Sequence, residues 1–154
     1  MNVHPINRWA EAHTDVFLDL VRIYLGLGLF MKGVFFMSHG DYLLKLLQDS
    51  GDWFIAPATI AHYVIPAHIF GGFLLAIGLL TRVAALAQVP VLVGAMFWVY
   101  LPKVMAVEPR QNLEFSALVL FLMLMILVFG AGRWSLDHYL SRREPAQLRP
   151  QPAV

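Results

Sequence analysis

Asp19, Arg22, Lys32, His68 and Glu114 stand inside or at the edge of long apolar stretches, where an ionisable side chain needs a reason. Even on lenient insertion scales a charge at the centre of a hydrocarbon layer costs about 2.5–3.5 kcal/mol, so such groups pair with one another or line a cavity. An imidazole near a carboxylate exchanges protons around neutral pH and hydrogen-bonds a carbonyl of a bound ligand. A lysine ammonium stabilises negative charge developing on such a ligand. His68, Glu114 and Lys32 fall in the same half of their stretches and form the candidate catalytic group; Arg22, Lys32, His68 and Glu114 form the candidate cofactor-binding set.

Each residue also has a purely structural reading. Asp19 and Arg22 are three residues apart on one helical face and can neutralise each other, while Arg22 also reaches towards headgroups. Lys32 is close enough to the end of its stretch for its stem to carry the charge out to the interface. His68 is about eight residues into the second stretch, roughly 12 Å by helical rise, where a single interhelical hydrogen bond would satisfy it. Glu114 can be held by a helix dipole and by Arg110.

The chain has six histidines, but none forms a pair at the i,i+4 spacing of a helical metal site. His62 and His68 point about 120° apart on a regular helix, with Pro66 between them. Neither a metal nor a haem is expected. With no cysteine, the chain cannot carry out thiol–disulfide exchange itself or supply a thiolate ligand.

The elements that must position these residues are Val16–Met37, Ile60–Leu80, Val83–Leu101 and Leu113–Phe129, each near the roughly 20 apolar residues that cross a bilayer. A hydrophobic share of 59%, a charged share of 14% and a mean hydropathy of +0.66 exceed what a soluble domain of 154 residues can bury. The fold class expected is all-α, an integral membrane four-helix bundle in contact with the lipid bilayer. No basic run suggests a nucleic-acid partner.

The chain divides into an N-terminal segment 1–15, a four-span membrane domain 16–129, an interfacial segment 130–143 and a disordered tail 144–154. Arg8, Arg82, Arg133, Arg142, Arg143 and Arg149 gather on one side, against Lys45, Lys103 and Arg110 on the other, which predicts cytoplasmic termini. The N-terminus has no cleavable-signal pattern, so the first span is expected to act as an uncleaved signal-anchor.

In the long first connection, Tyr42, Leu43, Leu44, Leu46 and Leu47 predict a short outer interfacial helix capped by Asp41, which can roof a cavity or serve as a plain connector. Gly51, Trp53, Phe54 and Pro57 then turn the chain back to the bilayer. After Gly130, Ser135 is the expected N-cap of a C-terminal cytoplasmic interfacial helix, with Asp137 at the positive end of its dipole. Trp53, Tyr63, Trp98 and Tyr100 suit an interfacial belt, and Pro90 predicts a bend beside the buried Gln88.

Arg22-Ile23-Tyr24-Leu25-Gly26 with Lys32-Gly33, Gly71-Gly72 with Gly78-Leu79-Leu80-Thr81-Arg82, Glu114, and Gly130-Ala131-Gly132-Arg133-Trp134-Ser135-Leu136-Asp137 resemble the DoxX-like family in order and spacing. The resemblance implies a small four-helix protein of a bacterial-type inner membrane, linked with quinone-dependent sulfur oxidation or with membrane oxidoreductase complexes. It makes a quinone the expected cofactor and an oxidoreductase subunit the expected partner; a non-enzymatic anchoring or assembly role is the alternative. Members often carry a glutamate three residues before the paired glycines, where this chain has His68.

Overall fold

The computed structural model describes residues 4–51, 55–130 and 135–141; Trp53, Phe54, Gly132, Arg133, Trp134, the arginines from 142 onward and the 144–154 tail lie outside the described residues. Helices α1 (His4–Ser38), α2 (Gly40–Gln48), α3 (Pro57–Ile77), α4 (Thr81–Lys103), α5 (Val107–Phe129) and α6 (Leu136–Ser141) follow in order. Among the described residues, Val16–Ser38, Pro57–Ile77, Thr81–Lys103 and Pro109–Phe129 are long and apolar enough to cross a membrane. The expected all-α bundle is therefore what the chain forms, with α2 at one end and α6 at the other. Phe17, Tyr24, Met31, Phe70, Phe73, Leu86 and Phe121 stand exposed around it. So much outward apolar surface suits lipid as the solvent.

Close approach of α1 and α3 depends on missing side chains. A Cβ at Gly26 would collide with the Ala76 backbone, one at Gly72 would lie 2.5 Å from the Phe30 nitrogen, and one at Gly33 would lie 2.8 Å from the Ile69 nitrogen. The three glycines let the two backbones touch over about two turns, the small-residue packing that substitutes for hydrophobic drive in lipid.

Two prolines distort the neighbouring pair α3 and α4. After Pro66, residues Ala67–Gly71 form a π turn; beyond Pro90, residues Ala95–Tyr100 form another. A proline removes a ladder donor and pushes against the carbonyl one turn back, which leaves backbone groups seeking partners. Side chains cross-link the two distorted stretches reciprocally: Tyr63 of α3 donates from its hydroxyl at 2.9 Å to the carbonyl of Ala87, three residues before Pro90, and Gln88 of α4 donates from Nε2 at 2.6 Å to the carbonyl of Ala67, inside the π turn. Tyr63, expected in an interfacial belt, therefore works as an interhelical latch.

At the α6 end, charge organises the α3–α4 turn. Arg22, buried in α1, lies 3.2 Å from Asp19 and donates from Nη1 to the Leu75 carbonyl at 3.1 Å, near the C-terminus of α3. Directly above, Gly78 has φ +73°, and a Cβ there would strike the Arg22 guanidinium. Asp137 accepts from the Leu80 and Thr81 amides at 2.7 and 2.9 Å, and its own amide donates to the Gly78 carbonyl at 3.0 Å. It thus caps α4 across the turn, a role that reaches beyond the expected contribution to its own helix. Ser135 does precede α6, its carbonyl accepting from the Tyr139 amide at 3.2 Å.

The expectation for Asp41 needs correcting. His39, not Asp41, occupies the N-cap of α2 and makes no side-chain capping bond, while Asp41 sits in the first turn. The helix starts two residues earlier than its apolar cluster indicated, at Gly40 rather than Tyr42, directly after α1.

Two substitutions separate these effects. Gly26→Ala should destabilise the bundle by about 1–3 kcal/mol, the usual cost of overpacking, whereas Gly28→Ala should leave thermal stability in detergent unchanged, because nothing lies within 4 Å of that position. Asp137→Ala should cost about 0.5–2 kcal/mol through loss of a helix cap, with Asp137→Asn losing less because an acceptor remains. Thermal unfolding followed by circular dichroism reads both; equal melting of Gly26→Ala and Gly28→Ala would exclude the backbone contact.

Candidate functional site

The π turn carries His68 near the midpoint of the 21-residue span of α3, deeper than the sequence reading placed it. The residue is 3% exposed, and its Nδ1 donates to the Val64 carbonyl at 3.0 Å. That bond fixes the proton on Nδ1 and leaves Nε2 as an acceptor in the uncharged ring. Gly33 brings α1 against the His68 backbone, with a would-be Cβ 2.9 Å from the His68 Cβ. The Phe36 ring meets the imidazole edge-on at 5.7 Å, and the Lys32 ammonium lies 5.7 Å from the centroid of the same ring. Phe36 thus bridges the two candidate residues.

Lys32 and His68 border one cavity of about 390 Å³. Leu43, Leu46 and Leu47 of α2 close it from the end, so this short helix is a roof rather than a plain connector. The π turn of α4 contributes Ala95, Trp98, Val99 and Tyr100 to its wall, and α5 contributes Ser116. Tyr100 is buried here, where an interfacial position was expected. Apart from the lysine, the histidine and these hydroxyl and indole groups, the lining is apolar. This is the ordinary make-up of a small-molecule site: a few polar groups set in an apolar wall.

Lys32 is only half-buried, yet among the described residues its ammonium meets no carboxylate and no hydrogen-bond acceptor; the Phe36 face is its one recorded partner. Likewise, among the described residues His68 makes no hydrogen bond beyond the one to Val64. A cation and a ring nitrogen therefore border the same apolar space with donor and acceptor capacity left over.

The structure does not bring Glu114 or Arg22 to this cavity. Glu114 is 68% exposed and pairs with Arg110 at 3.2 Å. The cause is helical geometry: residues two apart point roughly 200° apart, so with Ser116 turned inward, Glu114 must turn outward. Arg22 is committed to Asp19 and Leu75 at the α6 end. The candidate group of three residues reduces to Lys32 and His68. Ser116, Tyr63 and Tyr100 were missed as lining residues; the paired prolines of α3 and α4 were the available signal, since each precedes a widened turn facing the cavity.

His39 and His62 stand exposed and bond to the carbonyls of Phe35 and Ala58 in their own helix turns. Among the described residues no three His, Cys, Asp or Glu side chains gather as a metal site would require.

Comparison with protein families matches residues 17–101 to DoxX, a stretch that takes in the membrane part of α1, the roof helix α2, α3 and nearly all of α4. Neither the curated proteins nor the solved structures give a significant match. The match spans more than half of the 154 residues and includes both cavity residues, Lys32 and His68; the chain belongs to the DoxX family and is a multi-pass membrane protein.

Proposed function

We propose that the chain is the membrane component of a quinone-linked oxidoreductase system, with the Lys32–His68 cavity as the site for a quinone-like ligand. The observation that carries this reading is the pairing of an ammonium without a counter-ion and an imidazole with a free ring nitrogen on one apolar cavity. A quinone ring is apolar on both faces and carries acceptors at its ends. The Lys32 ammonium can donate to one carbonyl oxygen, and His68 can accept a proton at Nε2 from a quinol hydroxyl and pass it on. Electron exchange belongs to a partner oxidoreductase; the chain's own share is to bind the ring, hold its orientation, keep water away and move a proton.

The same reading sets the protein in a bacterial-type inner membrane with both termini in the cytoplasm, α6 on the cytoplasmic side and α2 on the other. Support comes from Arg82 beside the short α3–α4 turn and from the arginines that follow the last span in the sequence. Because the chain has no cysteine, single cysteines report cleanly. Asp49→Cys and Tyr139→Cys should react with an impermeant maleimide from opposite faces of inverted and right-side-out vesicles; labelling of both from one face would reject the orientation.

For the site itself, Lys32→Met should weaken equilibrium binding of a short-chain benzoquinone to the purified protein by about tenfold or more, the range of a lost hydrogen bond to a charged group. His68→Gln should keep most of the affinity yet depress proton-coupled turnover with the partner, and His68→Ala should lower both. Glu114→Gln should change neither, since its side chain lies outside the cavity. Unaltered binding and turnover in folded Lys32 and His68 variants would leave the non-enzymatic anchoring role in place of this one.

A further inference from the structure

A second, smaller space of about 90 Å³ adjoins the main cavity and shares Lys32, His68, Leu92 and Ser116 with it. It lies between α1 and α5, which touch only sparsely, whereas α1 packs tightly on α3 and α4 packs on α5. The seam between the first and last membrane helices therefore holds a crevice, floored by the buried Leu25 and Leu29. Tyr24, Gly28 and Lys32, each four residues apart, form one wall of this crevice, and Phe115, Ser116 and Val119 form the other.

Three features mark the crevice as a route. Gly28 is exposed close to the midpoint of the 23-residue span of α1, and a Cβ there would meet no atom within 4 Å. Unlike Gly26 and Gly33, it serves no helix contact. Tyr24 and Phe115, 73% and 55% exposed, flank the mouth. From Lys32 the slot descends along α1 to Tyr24, eight residues or about 12 Å deeper into the bilayer. At that depth the surroundings are hydrocarbon, not water, so whatever enters arrives dissolved in lipid.

We propose that the cavity is loaded from the bilayer through the Gly28 crevice and takes an amphiphile whose oxygen-bearing head meets Lys32 and His68 while its hydrocarbon tail lies between α1 and α5. The inference rests on the cavity being a ligand site, as argued above, and narrows the ligand to a tailed, lipid-borne molecule. A tail-less, water-soluble one would use only part of the space. A quinone with a side chain and a fatty acid share the required chemistry, an oxygen acceptor on an apolar chain, and the test must distinguish them.

The protein in lipid nanodiscs is equilibrated with each of three radiolabelled probes, with empty nanodiscs subtracted: a benzoquinone bearing a ten-carbon tail, the same ring without the tail, and decanoic acid. Gly28→Phe should fill the slot without touching α3, and Gly28→Ala should leave it open. The expected result is that Gly28→Phe weakens binding of the tailed quinone by roughly tenfold, the loss of about two buried methylene groups. The tail-less ring should bind both variants like the parent, and melting temperatures should agree. Equal affinity of the tailed quinone for parent and Gly28→Phe, together with loss in Lys32→Met, would overturn the crevice while keeping the quinone site. Binding of decanoic acid alone, sensitive to Gly28→Phe, would uphold the crevice and remove the quinone. Failure of both tailed probes to bind the parent protein would overturn both.

Discussion

The turn that joins α3 to α4 is held between two charges of opposite sign, and the rest of the bundle depends on that clamp. Arg22 places its cation under the C-terminal carbonyls of α3, at the negative end of that helix's dipole, and Asp137 places its anion on the first amides of α4, at the positive end of the next. Only three residues separate the helices, so Leu80 is driven to φ +49°, a left-handed conformation that costs an ordinary side chain about 1–2 kcal/mol. The Asp137 carboxylate takes the Leu80 amide and helps to offset that cost. Asp19 in turn neutralises Arg22, which would otherwise be a buried cation. Removing one partner from such a pair typically costs about 3–5 kcal/mol, far more than the intact pair contributes.

With the turn fixed, the packing of α1 on α3 follows, and with it the location of the site. Arg22, Gly26 and Gly33 lie along one side of α1, so the residue that ties α1 to the turn and the glycines that let it touch α3 act along a single contact. The same contact delivers Gly33 to the His68 backbone. One buried apolar cluster, with Leu75, Met123 and Ile126, fills the bundle towards the α6 end; another, with Phe36, Leu43 and Tyr100, fills it towards α2. Lys32, His68 and Ser116 fall where these two clusters meet. There the π turns of α3 and α4 widen the helices, and the reciprocal Tyr63 and Gln88 bonds keep the prolines from separating them.

Span positions were legible in the sequence because hydrocarbon thickness imposes a length and a composition on every crossing helix. The Asp19–Arg22 pair and the glycine face were legible too, since both follow from helical spacing within one segment. Depth along the bundle could be read the same way, and Lys32 and His68, read at one depth, do border one cavity. Depth says nothing of azimuth, however, and Glu114 was misplaced for that reason: it shares the level of the cavity but faces away from it. The roles of Asp137 and Gln88 were hidden because each acts on backbone groups of another helix, and no local pattern encodes such a partner. The π turns were signalled only by Pro66 and Pro90, whose usual reading is a simple kink.

The two halves of the protein treat their buried charges in opposite ways, and that contrast bears on what selection acted upon. At the α6 end Arg22 meets Asp19 and a carbonyl at the end of α3, and Asp137 accepts from two amides at the start of α4, as a device for folding requires. Midway to the other end, among the described residues, Lys32 rests against an aromatic face without an anion, and His68 uses one nitrogen of two. Stability alone would favour an apolar residue at either position, because an ionisable group left short of partners in an apolar setting is a net cost. A ligand that brings its own oxygen acceptors removes that cost at the moment it binds, and does so only in the folded state, so its binding energy is coupled directly to the conformation that holds the site. On the proposed reading, polar capacity withheld from the fold in this way gives the cavity its affinity for a ligand, while the clamp at the other end holds the bundle without it.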